Sequence, residues 1–303
     1  MPVDCRLGDE CFVQQMPDID PGPQVMDPLC GKASYQGHDG WDIRILALKD
    51  IDQHTAVLSV ADGTVARTRD GVPDQIFDRL RDKDLLGGKE CGNGVVVEHA
   101  EGLVSQYCHL QQGSVAVRPG MRVRKGEKIG WVGASGMAEF PHVHLSIRRD
   151  GRPVEPLTGR ALGHAPETCG DTTDSLFEPS ARQILSTSPT AIIDVGLAKA
   201  PPELSNLVRE GRPPLVKFSE PIIAWVWAIN AEEGSLFRIR LTDPDQNLVM
   251  DLKTRALDGR KANYLAYVGG KYGTREGVYG LQVELLAGAQ TIRSTTRSFN
   301  VSR

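Results

Sequence analysis

Short runs of alternating apolar and polar positions, broken by Gly, Asp and Pro, dominate the chain up to about residue 157. That period-two texture predicts antiparallel strands and few helices. AVLSVADGTVART is expected to turn at Asp62 and Gly63, and GVVVEHAEGLVSQYCHL around Ala100 to Gly102 between two alternating strands. VAVRPGMRVRKGEKIGWVG turns at Pro119-Gly120 and again at Lys125-Gly126. Between the first two hairpins, Asp70 to Glu90 is charged and does not alternate. It is expected as a long excursion with about one helical turn, of the kind that walls a binding site on a β scaffold.

From Leu157 to about Ile192 the chain shifts to Gly, Pro, Ser and Thr, with one short helix expected around Leu176 to Leu185. Strand texture then returns in PLVKFSEPIIAWVWAIN, SLFRIRLTDPDQNLVMDLKT, KANYLAYVGG, GVYGLQVELLAG and QTIRSTTRSFNVS, with the spacing of a small Ig-like β-sandwich. A mainly β protein is expected. Its parts are a cysteine-bearing segment over 1–36, an antiparallel β domain over 37–157, a linker over 158–192 and a sandwich over 193–303. A length of 303 residues supports two cores, since single cores stop growing at roughly 250 residues.

Composition narrows the classes. Hydrophobic residues make up 40% and charged residues 24%, ordinary values for a folded soluble chain. A net charge of −4, with no Lys/Arg run, gives no footprint for nucleic acid or an anionic membrane surface. No apolar stretch approaches the roughly 18 to 20 residues of a membrane helix. The N-terminus lacks the basic and apolar regions of a signal peptide. Against this, Cys5, Cys11, Cys30, Cys91, Cys108 and Cys169 are an even set without zinc-type pairing, which reads as disulfides and a periplasmic or extracellular setting. The two agree if an export segment has been removed. Cys91 and Cys108 flank an expected hairpin and come within bridging reach; the other pairings stay open.

The histidines carry the candidate chemistry. All seven lie before residue 165, and four fall in GHDGWD, YCHL and PHVHLS. In GHDGWD a glycine between His38 and Asp42 lets the backbone turn tightly, so an imidazole and a carboxylate can converge on one ion. His142 and His144 are two apart on an alternating strand, so both rings emerge on one face, with Cα atoms ~6.5 to 7 Å apart. A catalytic zinc takes three protein ligands and keeps a fourth position for water, whose pKa it lowers to about 7. Two histidines and one carboxylate meet that count.

HxxxD, then Y-x-H-L, then HxH in this order resembles the lysostaphin-type (LytM-like) zinc peptidases of peptidoglycan. The likeness extends through ADGTV, GNGVVVEH and PGMRVRKGEKIGWVGASG, roughly Gly37 to Ile147. It implies one zinc ion held by His38, Asp42 and His144, with His109 and His142 as catalytic partners for protons and developing charge. It further implies an endopeptidase that hydrolyses peptide cross-links or stem peptides of bacterial peptidoglycan. The departures are the Asp70–Glu90 excursion, the cysteine-bearing segment and the C-terminal domain, which could meet a protein partner. A rival reading from another class is a non-catalytic regulator that binds and activates another wall hydrolase; a third is a latent peptidase with its groove covered.

Other candidates carry less. His99 reads as structural, and His54 and His164 as surface residues. Ser135 lacks the GxSxG elbow and reads as a turn residue. Alternation places Cys108 on the face opposite His109, as a disulfide half rather than a nucleophile. Trp225 and Trp227 share one strand face and read as core.

Overall fold

Val95, Val97, Tyr107, Val143 and Leu145 are all at most 1% exposed, and every one sits at an alternate position of a strand. These strands form the middle of the sheet that carries the first unit. A computed structural model describes residues 1–79, 82, 87–163 and 169–303. The chain divides into two units, Met1–Pro189 and Thr190–Arg303.

The strands of the first unit are β1 (Phe12–Gln15), β2 (Trp41–Arg44), β3 (Ala56–Leu58), β4 (Gly63–Arg69), β5 (Asn93–His99) and β6 (Leu103–Leu110). They continue with β7 (Arg122–Val123), β8 (Lys128–Trp131), β9 (His142–Arg149), β10 (Arg152–Glu155) and β11 (Arg160–Ala161), followed by helix α1 (Pro179–Leu185). The main sheet runs β1-β2-β9-β6-β5-β4-β7, all antiparallel, with β10 added beside β9. One face of β2, β6 and β9 buries Ile43, Tyr107, Val143, Leu145 and Ile147 in the core. The other face of the same strands presents Asp42, Gln106, Cys108, His144, Ser146 and Arg148 to a cleft. Fully burying each core side chain is worth about 1.5–3 kcal/mol, and a one-residue slip would send all of them to the cleft face. Core packing therefore fixes which residues face the cleft.

The expected hairpin at Ala100–Gly102 forms, as a single 3-10 turn between β5 and β6. The turn at Asp62–Gly63 differs. β3 pairs with β8 in a separate two-stranded sheet, so this turn passes between sheets instead of closing a hairpin. In the excursion, Asp70 accepts the Gly113 and Val115 N–H groups, and Asp74 accepts those of Gln112 and Ala134. These carboxylates anchor it to the scaffold, and its residues Arg79 and Glu90 line the cleft.

The N-terminal segment is built in. β1 pairs with β2, Asp27 accepts N–H groups from Leu29, Gly31 and Ala33, and Cys30 is bridged to Cys169. Much of the stretch expected as a linker packs on this unit too. Leu157 and Leu185 join Met16 and Trp41 in one buried cluster, with Phe177 edge-on to Trp41 at 5.9 Å. Few apolar positions suffice when each lands on a core. The expected helix is present as α1.

The second unit holds β12 (Ala191–Ala198), α2 (Leu204–Glu210), β13 (Pro221–Ala231), β14 (Ser235–Thr242), β15 (Leu248–Lys253), β16 (Lys261–Gly273), β17 (Gly277–Ala287) and β18 (Gln290–Val301). Sheets β12-β13-β16 and β15-β14-β17-β18 enclose a common core that includes Val195, Val226, Phe237, Ile239, Leu281 and Val283. Helix α2 had no counterpart in the strand-dominated sequence reading. Trp225 and Trp227 are 1% exposed, as core packing requires.

Candidate active site

His38 lies in the loop ahead of β2, after Gly37, whose φ of 76° an ordinary side chain would disfavour. Its Nδ1 is 2.8 Å from the Met16 carbonyl oxygen. A carbonyl only accepts, so Nδ1 carries the proton and Nε2 turns a lone pair outward. Asp42, on β2, is the cross-strand partner of His144 on β9. His144 Nε2 is 3.2 Å from Asp39 Oδ1, a pairing that leaves Nδ1 to face Asp42 Oδ1 at 2.8 Å.

Three potential ligand atoms thus converge. His38 Nε2 is 3.2 Å from both His144 Nδ1 and Asp42 Oδ1. Ligand atoms around one tetrahedral zinc, at bonds of about 2.1 Å, stand ~3.4 Å apart, so the donor set fits a small divalent cation. Among the described residues, these three form the group that could hold a metal ion, their ligand atoms lying within 4.8 Å of one another. The electrostatics point the same way. Burial alone would lower the His144 pKa, but hydrogen bonds to Asp39 and Asp42 outweigh it and raise it to about 9. Burial would raise the Asp42 carboxyl, yet His38, His142 and His144 hold it well below the usual carboxylate range. The pocket demands positive charge.

His142 and His109 complete the wall. As the sequence spacing implied, His142 emerges beside His144, its Nε2 3.6 Å from Asp42 Oδ1. His142 Nδ1 donates to the Phe140 carbonyl and His109 Nδ1 to the Ser135 carbonyl, each at 2.8 Å. Both rings therefore offer Nε2 as an acceptor, and their centroids are 4.5 Å apart. Burial, then the neighbouring His142 and His144, pushes His109 well below the ordinary imidazole value; burial also lowers His142.

The cleft is open and about 230 Å³ in volume, with Gln15, Tyr35, Arg79, Gln106, Glu139 and Arg148 around the histidines. Arg79 pairs with Glu139 across it. Tyr35 stacks on His38 with centroids 4.5 Å apart, and burial followed by the Asp42 charge raises its phenol pKa.

One side-chain reading changes. Cys108 and His109 both line the cleft, because His109 adopts a φ of 64° and the β5–β6 register shifts between Asn93 and Val95. That irregularity breaks the alternation from which opposite faces were expected. Cys108 is a disulfide half, bridged to Cys91. Ser135 is fully buried, its Oγ donating to the Leu110 carbonyl and accepting the Asn93 N–H, so it locks the turn that orients His109. His99 is structural, bonded to the Asp62 carbonyl and Ser105 Oγ. His54 is exposed and stacks on Trp131. His164 lies outside the described residues.

Sequence reasoning missed Asp39, Arg148, Gln106 and the three orienting carbonyls. Asp39 was visible as an acid inside GHDGWD, and Arg148 as a cation four positions past His144 on the same face. The carbonyls of Met16, Phe140 and Ser135 left no side-chain signal.

A β sheet here gathers a His/Asp/His donor set and two further imidazoles in one cleft, a candidate metal centre. Residues 36–156 match the model of Peptidase family M23. The chain is 34% identical over 131 residues to the cell division protein DipM of Caulobacter vibrioides, covering 41% of this chain and 18% of that protein. It is 42% identical over 67 residues to the DD-carboxypeptidase/endopeptidase Mpg of Neisseria meningitidis, covering 22% of this chain and 15% of Mpg. The chain thus spans less than a fifth of these relatives. The solved catalytic domain of lysostaphin from Staphylococcus simulans is similar at 17% identity, with 49% of this chain and 89% of that one covered and a TM-score of 0.30.

Proposed function

We propose that the chain is a zinc-dependent endopeptidase acting on peptide cross-links or stem peptides of peptidoglycan outside the cytoplasm. The observation that carries this reading is the convergence of three potential ligand atoms beside two neutral imidazoles in one open cleft of an M23-like domain. His38 Nε2, Asp42 Oδ1 and His144 Nδ1 would hold the ion. When bound there, zinc polarises a peptide carbonyl and makes a nearby water acidic enough to attack at neutral pH.

The remaining chemistry falls to the protein. His109 and His142 are neutral, and each keeps Nε2 free because Nδ1–H is committed to a carbonyl. Either can accept the proton of the attacking water at Nε2. Once protonated, the same nitrogen becomes a donor, which the departing amine and the developing oxyanion both require. The near-buried setting strengthens these interactions over their value in water. Tyr35, Arg79, Glu139 and Arg148 supply mixed charge and one aromatic ring along the cleft, suited to an extended peptide with ionised groups.

The substrate class is supported by the relatives, among them the peptidoglycan DD-endopeptidase ShyA of Vibrio cholerae, 35% identical over 66 residues. The extracytoplasmic setting is supported by three disulfides and no free cysteine. The decisive experiment incubates purified protein with intact sacculi and reads the released muropeptides by mass spectrometry, beside His144→Ala. Expected are one zinc per chain and cleaved cross-links for wild type, and neither for the variant. Zinc without cleavage would favour the regulator reading.

A further inference from the structure

A connected chain of side chains runs outward from His144 along the cleft face. Asp39 Oδ1 meets His144 Nε2 at 3.2 Å, and Asp39 Oδ2 accepts from Arg148 Nη2 at 3.1 Å. Arg148 Nη1 donates to Gln106 Oε1 at 3.1 Å. Gln106 Nε2 in turn rests against both sulfurs of the Cys91–Cys108 bridge, 3.3 Å from Cys108 Sγ and 3.5 Å from Cys91 Sγ. Gln106 and Cys108 on β6, and His144 and Arg148 on β9, share the cleft face of adjacent strands.

We propose that Asp39, clamped by Arg148, is a positioning residue that fixes the tautomer and ring orientation of His144 for metal binding. The inference rests on the zinc-site reading above. An imidazole that coordinates through one nitrogen must carry its proton on the other, and a carboxylate at that second nitrogen selects this tautomer and makes the ligand more basic. His144 depends on such a side chain in a way His38 does not, because His38 Nδ1 is held by a backbone carbonyl, whereas His144 Nε2 is held by the side chain of Asp39. Its ring also packs close against Gly40, where an added Cβ would stand 2.5 Å from Cε1 and Nε2. Backbone on one side and Asp39 end-on leave the ring one orientation.

Arg148 explains why Asp39 stays in place. The side chains of Asp39 and Arg148 are 39% and 35% exposed. An ion pair this exposed contributes little to folding. Its effect should therefore appear in metal affinity, with the fold intact.

The test is zinc affinity of the metal-free, disulfide-intact protein, measured by competition with a chromophoric chelator. Asp39→Ala should weaken zinc binding by about tenfold to a hundredfold, with unchanged circular dichroism. Asp39→Asn, which keeps an acceptor oxygen, should recover most of that loss. Arg148→Ala should cause a smaller loss, and the double variant should bind as Asp39→Ala does, because Arg148 acts through Asp39. Arg148→Ala also carries the test should Asp39→Ala fail to fold, since its removal should still weaken binding. Wild-type-like affinity in Asp39→Ala, or additive losses in the double variant, would overturn the inference while leaving the zinc site standing. A wild-type protein that binds no zinc would overturn both.

Discussion

Asp42 and His144 are paired across the β2–β9 ladder, with Asp42 Oδ1 and His144 Nδ1 only 2.8 Å apart. Sheet register, set by the core on the opposite face, thus brings two of the three prospective ligands together. His38 is added by a loop pinned at Met16. A preformed site of this kind binds the folded state and not the unfolded chain.

Chelation should therefore lower the melting temperature of the first unit. Free zinc at a hundred times its Kd stabilises a folded state by about 2.7 kcal/mol, which for a unit of this size is a shift of about 5–10 °C. Scanning calorimetry with zinc and with excess chelator measures it, and His144→Ala should erase the difference. Superimposable wild-type melts in the two conditions would rule out a preformed site.

Gly40→Ala probes the floor beneath His144. The new methyl would meet the His144 ring at 2.5 Å and the Leu145 carbonyl at 2.7 Å, and the carbonyl belongs to a paired strand that cannot yield. Expected are a stability loss of about 1–3 kcal/mol and a collapse of zinc affinity as the ring is displaced. Urea melts and zinc titration read the two effects. Wild-type zinc binding in this variant would mean that the ring does not rest on Gly40.

How far could this have been read from sequence? The trio His38, Asp42 and His144 was implied by the family the HxxxD and HxH motifs resemble, and the fold brings the three together; spacing alone placed His142 and His144 on one strand face without choosing between them. Cys91 and Cys108 were legible as a pair because a hairpin brings its flanks together. The facing of His109 was not. It depends on a left-handed backbone at a non-glycine residue and on a register shift, which tertiary packing imposes against local alternation. Asp39 with Arg148 stayed hidden because an ion pair between residues more than a hundred positions apart has no local pattern. The Asp62–Gly63 turn was legible as a turn, but which strands it joins is a property of the whole sheet.

Stability of the metal-free protein should pass through a maximum near pH 6.5. His109 and His142 have folded pKa values depressed below 6.5, chiefly by burial. Their contribution is present above 6.5 and is lost as pH falls, because only the unfolded chain takes up the protons. His144 behaves oppositely. Its folded value, raised to about 9, gives stability that is full below 6.5 and is lost as pH rises towards 9. Each titrating group changes the slope by up to about 1.4 kcal/mol per pH unit. Denaturant melts from pH 5 to 9 should show both limbs, and His109→Gln should flatten the acid one. An unchanged acid limb in that variant would count against a buried neutral His109.

The Cys91–Cys108 bridge offers the sharpest separation of metal binding from catalysis. His109 holds a φ of 64°, a conformation that costs a non-glycine residue about 1–3 kcal/mol and persists only where its surroundings enforce it. Three constraints do so here. The His109 N–H donates to the Cys91 carbonyl at 2.8 Å, its Nδ1 donates to the Ser135 carbonyl, and the bridge ties Cys91 to Cys108, the residue before it. Opening the bridge with Cys91→Ala and Cys108→Ala removes a covalent closure spanning 17 positions, worth about 3 kcal/mol, and frees the segment whose carbonyl anchors His109. His38, Asp42 and His144 are held by Met16, β2 and β9, so zinc content should stay at one per chain. The expected outcome is a fall in kcat on sacculi with metal retained, the signature of a displaced proton carrier. Loss of zinc in parallel with activity would instead place the bridge among the supports of the metal ligands, and unchanged kcat would show that Ser135 alone suffices to hold His109.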